Sequence, residues 1–170
     1  MNISLVPAIA LAAILPLVAS CGDDDNPTDA ATNFSATLSG DEEVPAVSTS
    51  ATGTATFSIS GSQITYSVSV TNLQNPVVSH IHVAPTGENG PVRLNLCGTG
   101  APVPDCTEGD GVLASGTNGT TVGITFDELV AAMRAGNTYV NVHTDDGVGQ
   151  PNTGEGDMAS GEIRGQITAD

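Results

Sequence analysis

The chain lacks tryptophan and lysine altogether, and its three arginines face 19 Asp and Glu among 170 residues. With a formal net charge of -16, its surface repels phosphate backbones and anionic headgroups, which excludes nucleic acid as a partner. Aromatic residues make up only 3% of the chain, so the 39% hydrophobic fraction must build its core mainly from Val, Ile, Leu and Ala. The usual hydrolase signatures are missing too. No Gly-x-Ser-x-Gly elbow occurs, and no serine stands in a recognisable setting beside a histidine and an acid. Acids are plentiful, yet nothing singles out a pair for sugar cleavage. Only three cysteines and three histidines remain to carry chemistry.

The first stretch, "MNISLVPAIALAAILPLVASC", is apolar from Ile3 to Ala19 and then stops at small residues and a cysteine. It reads as an export signal over residues 1–20, because Pro7 and Pro16 interrupt a run already short for a bilayer span. No Lys or Arg precedes the run, so the amino terminus supplies the positive end. The ending "LVASC" resembles a bacterial lipobox. That resemblance implies cleavage before Cys21, lipid on its thiol and attachment to the cell envelope, with Gly22 favouring the outer membrane. Residues 21–32, acidic and without apolar period, read as a disordered tether. A single domain is then expected over 33–170.

Cys97 and Cys106 bracket "CGTGAPVPDC", whose Gly and Pro content marks a loop. In an exported chain such a pair is expected to form a disulfide. The alternative, a thiolate metal pair, would want tighter spacing and histidines nearby in sequence.

From Asn33 onward apolar residues recur with period two. "GTATFSIS" and "QITYSVSV", joined at Gly61-Ser62, predict an antiparallel hairpin. Further strands are predicted at 33–39, 77–83, 91–97, 111–116, 121–126, 138–144 and 161–168. "FDELVAAMRAG" is the exception. Leu129, Val130 and Met133 at helical spacing, acids in the first turn and Gly136 at the end predict one short helix near 126–135. Together these predict an all-β fold: an antiparallel two-sheet Greek-key sandwich, with a barrel as the alternative.

Strand parity organises the histidines. In "VVSHIHV", His80 and His82 share a face with Val78, and in "TYVNVHT", His143 shares one with Tyr139 and Asn141. If the two strands are neighbours, all three imidazoles converge in a geometry that copper or zinc accepts, with an open position left over. In "GEIRGQIT" the polar face carries Glu162, Arg164 and Gln166. Glu162 and Arg164 could pair, or Glu162 could orient a histidine from behind, with Arg164 and Asn141 as further outer partners. The bland reading, histidines that are only solvated or structurally hydrogen-bonded, stands beside the metal one.

In this order, "FSATLSGDEEVPAV", "SHIHVAPTGENGPVRLNL", "LVAAMRAGNTYVNVHT" and "GEIRGQI" resemble the CHRD domain, the module repeated in chordin and found singly in bacterial exported proteins. The resemblance covers nearly all of 33–168. It implies a β-rich extracellular module, with marked positions at Glu43, Pro45, His80, His82, Gly90, Pro91, Tyr139, Asn141, His143 and Gly161 through Gln166. The loop 97–106 and the long acidic stretch 145–160 depart from that pattern. The acidic stretch could cover the histidine face. It could also take calcium through Asp145, Asp146, Glu155 and Asp157, although the Asp-x-Asp-x-Asp-Gly order is absent.

Two functions follow as expectations. The first is a non-catalytic, envelope-anchored module whose loops contact another envelope protein or a polysaccharide. The second is a mononuclear copper or zinc protein using His80, His82 and His143. A weak similarity of the His-x-His strand to copper-zinc superoxide dismutases prompts it, but three histidines are too few for their dinuclear site.

Overall fold

A computed structural model describes residues 32–98, 102–147 and 155–170. The signal segment, Cys21 and the tether up to residue 31 lie outside the described residues, as does the middle of the 145–160 stretch. The described strands are β1 (Asn33–Ser39), β2 (Thr52–Ser60), β3 (Gln63–Thr71), β4 (Pro76–Val83) and β5 (Val92–Gly98). They continue as β6 (Gly111–Asn118), β7 (Thr138–Thr144), β8 (Ile163–Gln166) and the short β9 (Thr168–Ala169). One helix, α1 (Phe126–Arg134), stands between β6 and β7.

The fold is all-β with a single short helix, and its strands form one sheet in the order β5-β4-β7-β8-β1-β2-β3-β6, with β9 beside β1. The alternating apolar positions supply the interior: Phe34, Leu38, Ile64, Ile81, Leu94, Leu96, Val140, Val142 and Ile163 are all fully buried in one cluster. The sheet curls until its two edges meet. At that junction Asn118 Nδ2 donates to Asn95 O (3.0 Å), and Tyr66 of β3 donates across to Leu96 O (2.6 Å). Leu94 forms an isolated bridge with Thr121. The opposite seam, between β8 and β1, is thin, with Ser39 opposite Arg164 as its single register pair. The sandwich and the barrel expected from sequence are therefore close to one object: two four-stranded halves, joined at both seams into a nearly closed barrel.

The helix starts where its capping box requires. Thr125 accepts from Glu128 N, and the Glu128 carboxylate accepts from Thr125 N (2.7 Å). Leu129 and Met133 then lie in the core. The strand expected at 121–126 does not form. Thr121 Oγ1 bonds Ile124 O three residues on, and Gly123 takes φ +68°, so the segment turns into the helix.

Cys97 and Cys106 form the expected disulfide, tying β5 to the segment that leads into β6. The closed loop spans 9 residues of separation, for which the chain-entropy account gives about 2–3 kcal/mol. Reduction is expected to lower the urea midpoint by that equivalent while the barrel still folds. A reduced chain with an unchanged midpoint would show that this link contributes nothing.

Candidate functional site

β4 lies between β5 and β7, and β7 between β4 and β8. Ile81, Val140, Val142 and Ile163 point into the barrel, so the alternate residues of these strands point outward. That outer face is nevertheless largely covered, with His80 and His143 half-buried. Tyr139 and Asn141 are each 3% exposed, His82 8% and Arg164 2%. The segment after β1 and the turns 84–91 and 155–161 cover it. Asn89 links two of these covers to the sheet, its Nδ2 donating to Val44 O (2.7 Å) while its Oδ1 accepts from Arg164 Nη1 (3.0 Å).

The register sets His80 opposite Asn141, His82 opposite Tyr139, and His143 opposite Val78. The three imidazoles thus gather on one face, with ring centroids 5.3 Å (His80 to His143), 5.7 Å (His80 to His82) and 6.3 Å (His82 to His143) apart. One ring nitrogen from each lies within 4.8 Å of the others.

Backbone carbonyls decide which nitrogen each ring offers. His82 Nδ1 is 2.9 Å from Gly90 O, and His143 Nδ1 is 2.9 Å from Ala159 O. A carbonyl only accepts, so both Nδ1 atoms carry the proton and both Nε2 atoms present a lone pair. Those two Nε2 atoms, and Nδ1 of His80, are buried with no hydrogen-bond partner among the described residues. Three unpartnered imidazole nitrogens on one cluster are rare in a settled interior. A carbonyl behind each ligand imidazole is the outer arrangement that metal-bound histidines show.

Electrostatics keep the cluster neutral. Burial, helped by the neighbouring His143 and His82, pulls the His80 imidazole down to about 4. Burial likewise lowers His82 and His143, against the carbonyls of Gly90 and Ala159, which favour their protonated forms. The site therefore presents lone pairs rather than imidazolium.

Tyr139 backs the cluster. Its ring stacks on His82 at 4.7 Å and 9° from the β4 side, and the Arg164 guanidinium from β8 lies 3.9 Å from its centroid. Arg164 thus shares the Tyr139 ring with His82, and its charge also disfavours protonation of His82. Asn141 Nδ2 donates to Glu43 Oε1 (2.7 Å).

Glu162 corrects the expectation that it stands behind a histidine or pairs with Arg164. The β7–β8 ladder runs Asn141↔Arg164 and Val142↔Ile163, and its continuation would set Glu162 opposite His143. Instead Glu162 N donates to Val142 O, and Gly161 takes φ +121°, which swings the carboxylate off the face. It then accepts from Thr49 Oγ1 (2.6 Å), Thr144 Oγ1 (2.6 Å) and Gly156 N (2.9 Å). Thr144 Oγ1 in turn accepts from Met158 N (2.9 Å). Glu162 thus fastens the turn whose Ala159 carbonyl orients His143.

Two glycines are required by close approach. A Cβ at Gly90 would meet the Val83 carbonyl oxygen, so only glycine brings that backbone near enough to serve His82. A Cβ at Gly161 would meet Asn141 Nδ2 and Glu43 Oε1.

Beside the histidines opens a cavity of about 520 Å³, lined by Glu43, Val44, Val47, His82, His143 and Met158 among others. The 145–160 stretch does contribute to this face, through Met158 and Ser160. Glu43 is 7% exposed. Burial pushes its carboxyl up to about 7, outweighing Arg164 and the Val44 N–H, which pull it down. The sign of its contribution follows. Stability from this group is full below the unfolded value near 4.5 and is lost as pH rises through 7, a swing of about 3 kcal/mol. Glu43→Gln is therefore expected to match the parent in urea unfolding near pH 4.5 and to exceed it by about 2–3 kcal/mol at pH 8. An equal difference at both pH values would mean that Glu43 is not held protonated.

Sequence reasoning gave no role to the Gly90 and Ala159 carbonyls. Every residue carries a carbonyl, so only the family pattern at Gly90 marked one of them, and nothing marked Ala159. Glu43 was marked by the same pattern, but as one of 19 acids it had no further signal.

The geometry defines a barrel-like all-β module with a largely covered histidine cluster beside an open cavity. The CHRD domain model matches residues 34–167, and the chain belongs to that family. No curated protein matches the chain.

Proposed function

We propose that this CHRD module is exported and anchored to the cell envelope, the outer membrane favoured, through lipid on Cys21, and holds one zinc or copper ion with His80, His82 and His143. The observation that carries the metal reading is three histidines that each bring a ring nitrogen within 4.8 Å of the others and each hold a buried, unpartnered ring nitrogen, two of them with Nδ1 fixed on a backbone carbonyl. Neutral imidazole suits both metals, and three protein ligands leave a coordination position free. His82 and His143 line the cavity, so a small exogenous ligand in it would reach the histidines that would hold the metal. The tether reading rests on the "LVASC" segment and the acidic residues after it.

CHRD membership by itself suggests a non-catalytic module, and the second reading follows from it: the cavity and its covering loops contact an envelope protein or a polysaccharide without metal. The favouring observation is the apolar share of the cavity wall, with Val44, Val47 and Met158.

Metal content decides between them. Full-length protein purified without a histidine tag, dialysed against zinc or copper and then against buffer, is expected to retain one equivalent with a Kd below about 1 μM. Retention of neither metal would overturn the metal reading and leave the binding module. For the tether, lipid on Cys21 by mass spectrometry of the envelope fraction is expected, and an unmodified Cys21 there would contradict it.

A further inference from the structure

A second cluster of possible ligands lies at the base of the acidic stretch. Asp145 and Asp146 follow directly on β7, and Asp157 precedes the turn that returns to β8. One carboxylate oxygen from each lies within 4.8 Å of the other two. Asp157 is only 9% exposed, and its Oδ1 is buried with no hydrogen-bond partner among the described residues. A buried, unpartnered carboxylate oxygen is costly unless a cation or proton meets it, and two neighbouring carboxylates raise that cost.

The cluster is also held in place. Asn75, itself at φ +49°, accepts from Asp145 N at its carbonyl (3.1 Å) and donates from Nδ2 to Gly156 O (3.0 Å). One side chain and its backbone thus pin the two acidic segments side by side. Glu155, which sequence grouped with these acids, turns away, and its carboxylate accepts from Ser50 N.

From this we infer that Asp145, Asp146 and Asp157 form a site for a hard divalent cation, calcium, distinct from the histidine cluster. Carboxylate oxygens select calcium over zinc or copper, and three carboxylates from two separate segments suit calcium's tolerance of irregular geometry with 6–8 oxygen ligands better than magnesium's near-ideal octahedron. Backbone carbonyls and water complete such a shell in known calcium loops. The ion joins the end of β7 to the turn that carries Met158 and Ala159. It therefore braces one wall of the cavity from outside.

The test is calorimetric titration of calcium into EDTA-treated full-length protein. One site with a Kd between about 0.1 and 1 mM is expected, the range of extracellular modules. Asp157→Asn should weaken it at least tenfold. Glu155→Gln should leave it unchanged, since that carboxylate is engaged by Ser50. His80→Ala should leave it unchanged as well. No binding at about 5 mM calcium, or an unaltered Kd in Asp157→Asn, would overturn the inference. Loss of binding in His80→Ala would do the same, because the heat would then belong to the histidines.

Discussion

His80→Ala is expected to weaken zinc binding by at least a hundredfold while the barrel still folds. His80 has the two shorter ring separations in the cluster, 5.7 Å to His82 and 5.3 Å to His143, and its Nδ1 is buried with no hydrogen-bond partner among the described residues. Removing it leaves two imidazoles 6.3 Å apart, which is bidentate binding at best. The fold should tolerate the change, since His80 packs on the outer face and not in the core cluster. Its burial even works against the folded state in acid. The His80 contribution is present above 6.5 and is lost as pH falls through 4, so the alanine variant should resist acid better than its parent. His143→Ala should match it in metal affinity. Competitive titration against a chelator of known affinity measures both, and a loss confined to one of the two variants would show that the three rings do not act together.

Glu162→Ala is expected to cost about 4 kcal/mol in urea unfolding. The carboxylate is 0% exposed and takes three donors, two threonine hydroxyls and the Gly156 amide. Truncation strands all three, each at about 1–3 kcal/mol. Glu162→Gln should recover most of the loss. Its oxygen can take Thr144 and Gly156, and its amide can donate to a rotated Thr49 hydroxyl. The alanine variant should also weaken zinc binding about 10- to 100-fold, because the Ala159 carbonyl depends on the same turn. If Glu162→Ala unfolded at the parent's midpoint, the turn would have some other anchor.

Both effects trace to features of very different visibility in the chain. Period-two patterning made the strands legible because one face is packed with Val, Ile and Leu, and a slip of one residue would expose all of them. Parity then made the histidine convergence legible, since it needed only that β4 and β7 be neighbours. The helix was legible from Leu129, Val130 and Met133 at helical spacing, with Asp127 and Glu128 in the first turn and Gly136 after it. Glu162 was not. Parity assigned it to the histidine face, and one irregular hydrogen bond to Val142 O with Gly161 at positive φ turned it away. The covering of the face was hidden too. "HIH" beside "NVH" reads as the wet side of a sheet until the turns 84–91 and 155–161 close over it, and those turns carry no apolar period.

The most direct measurement is zinc-edge X-ray absorption on the zinc-loaded, full-length protein. Three imidazole nitrogens at about 2.0–2.1 Å, with one water oxygen completing the shell, are predicted. A shell dominated by carboxylate oxygen, or one with fewer than three imidazoles, would contradict the site at His80, His82 and His143.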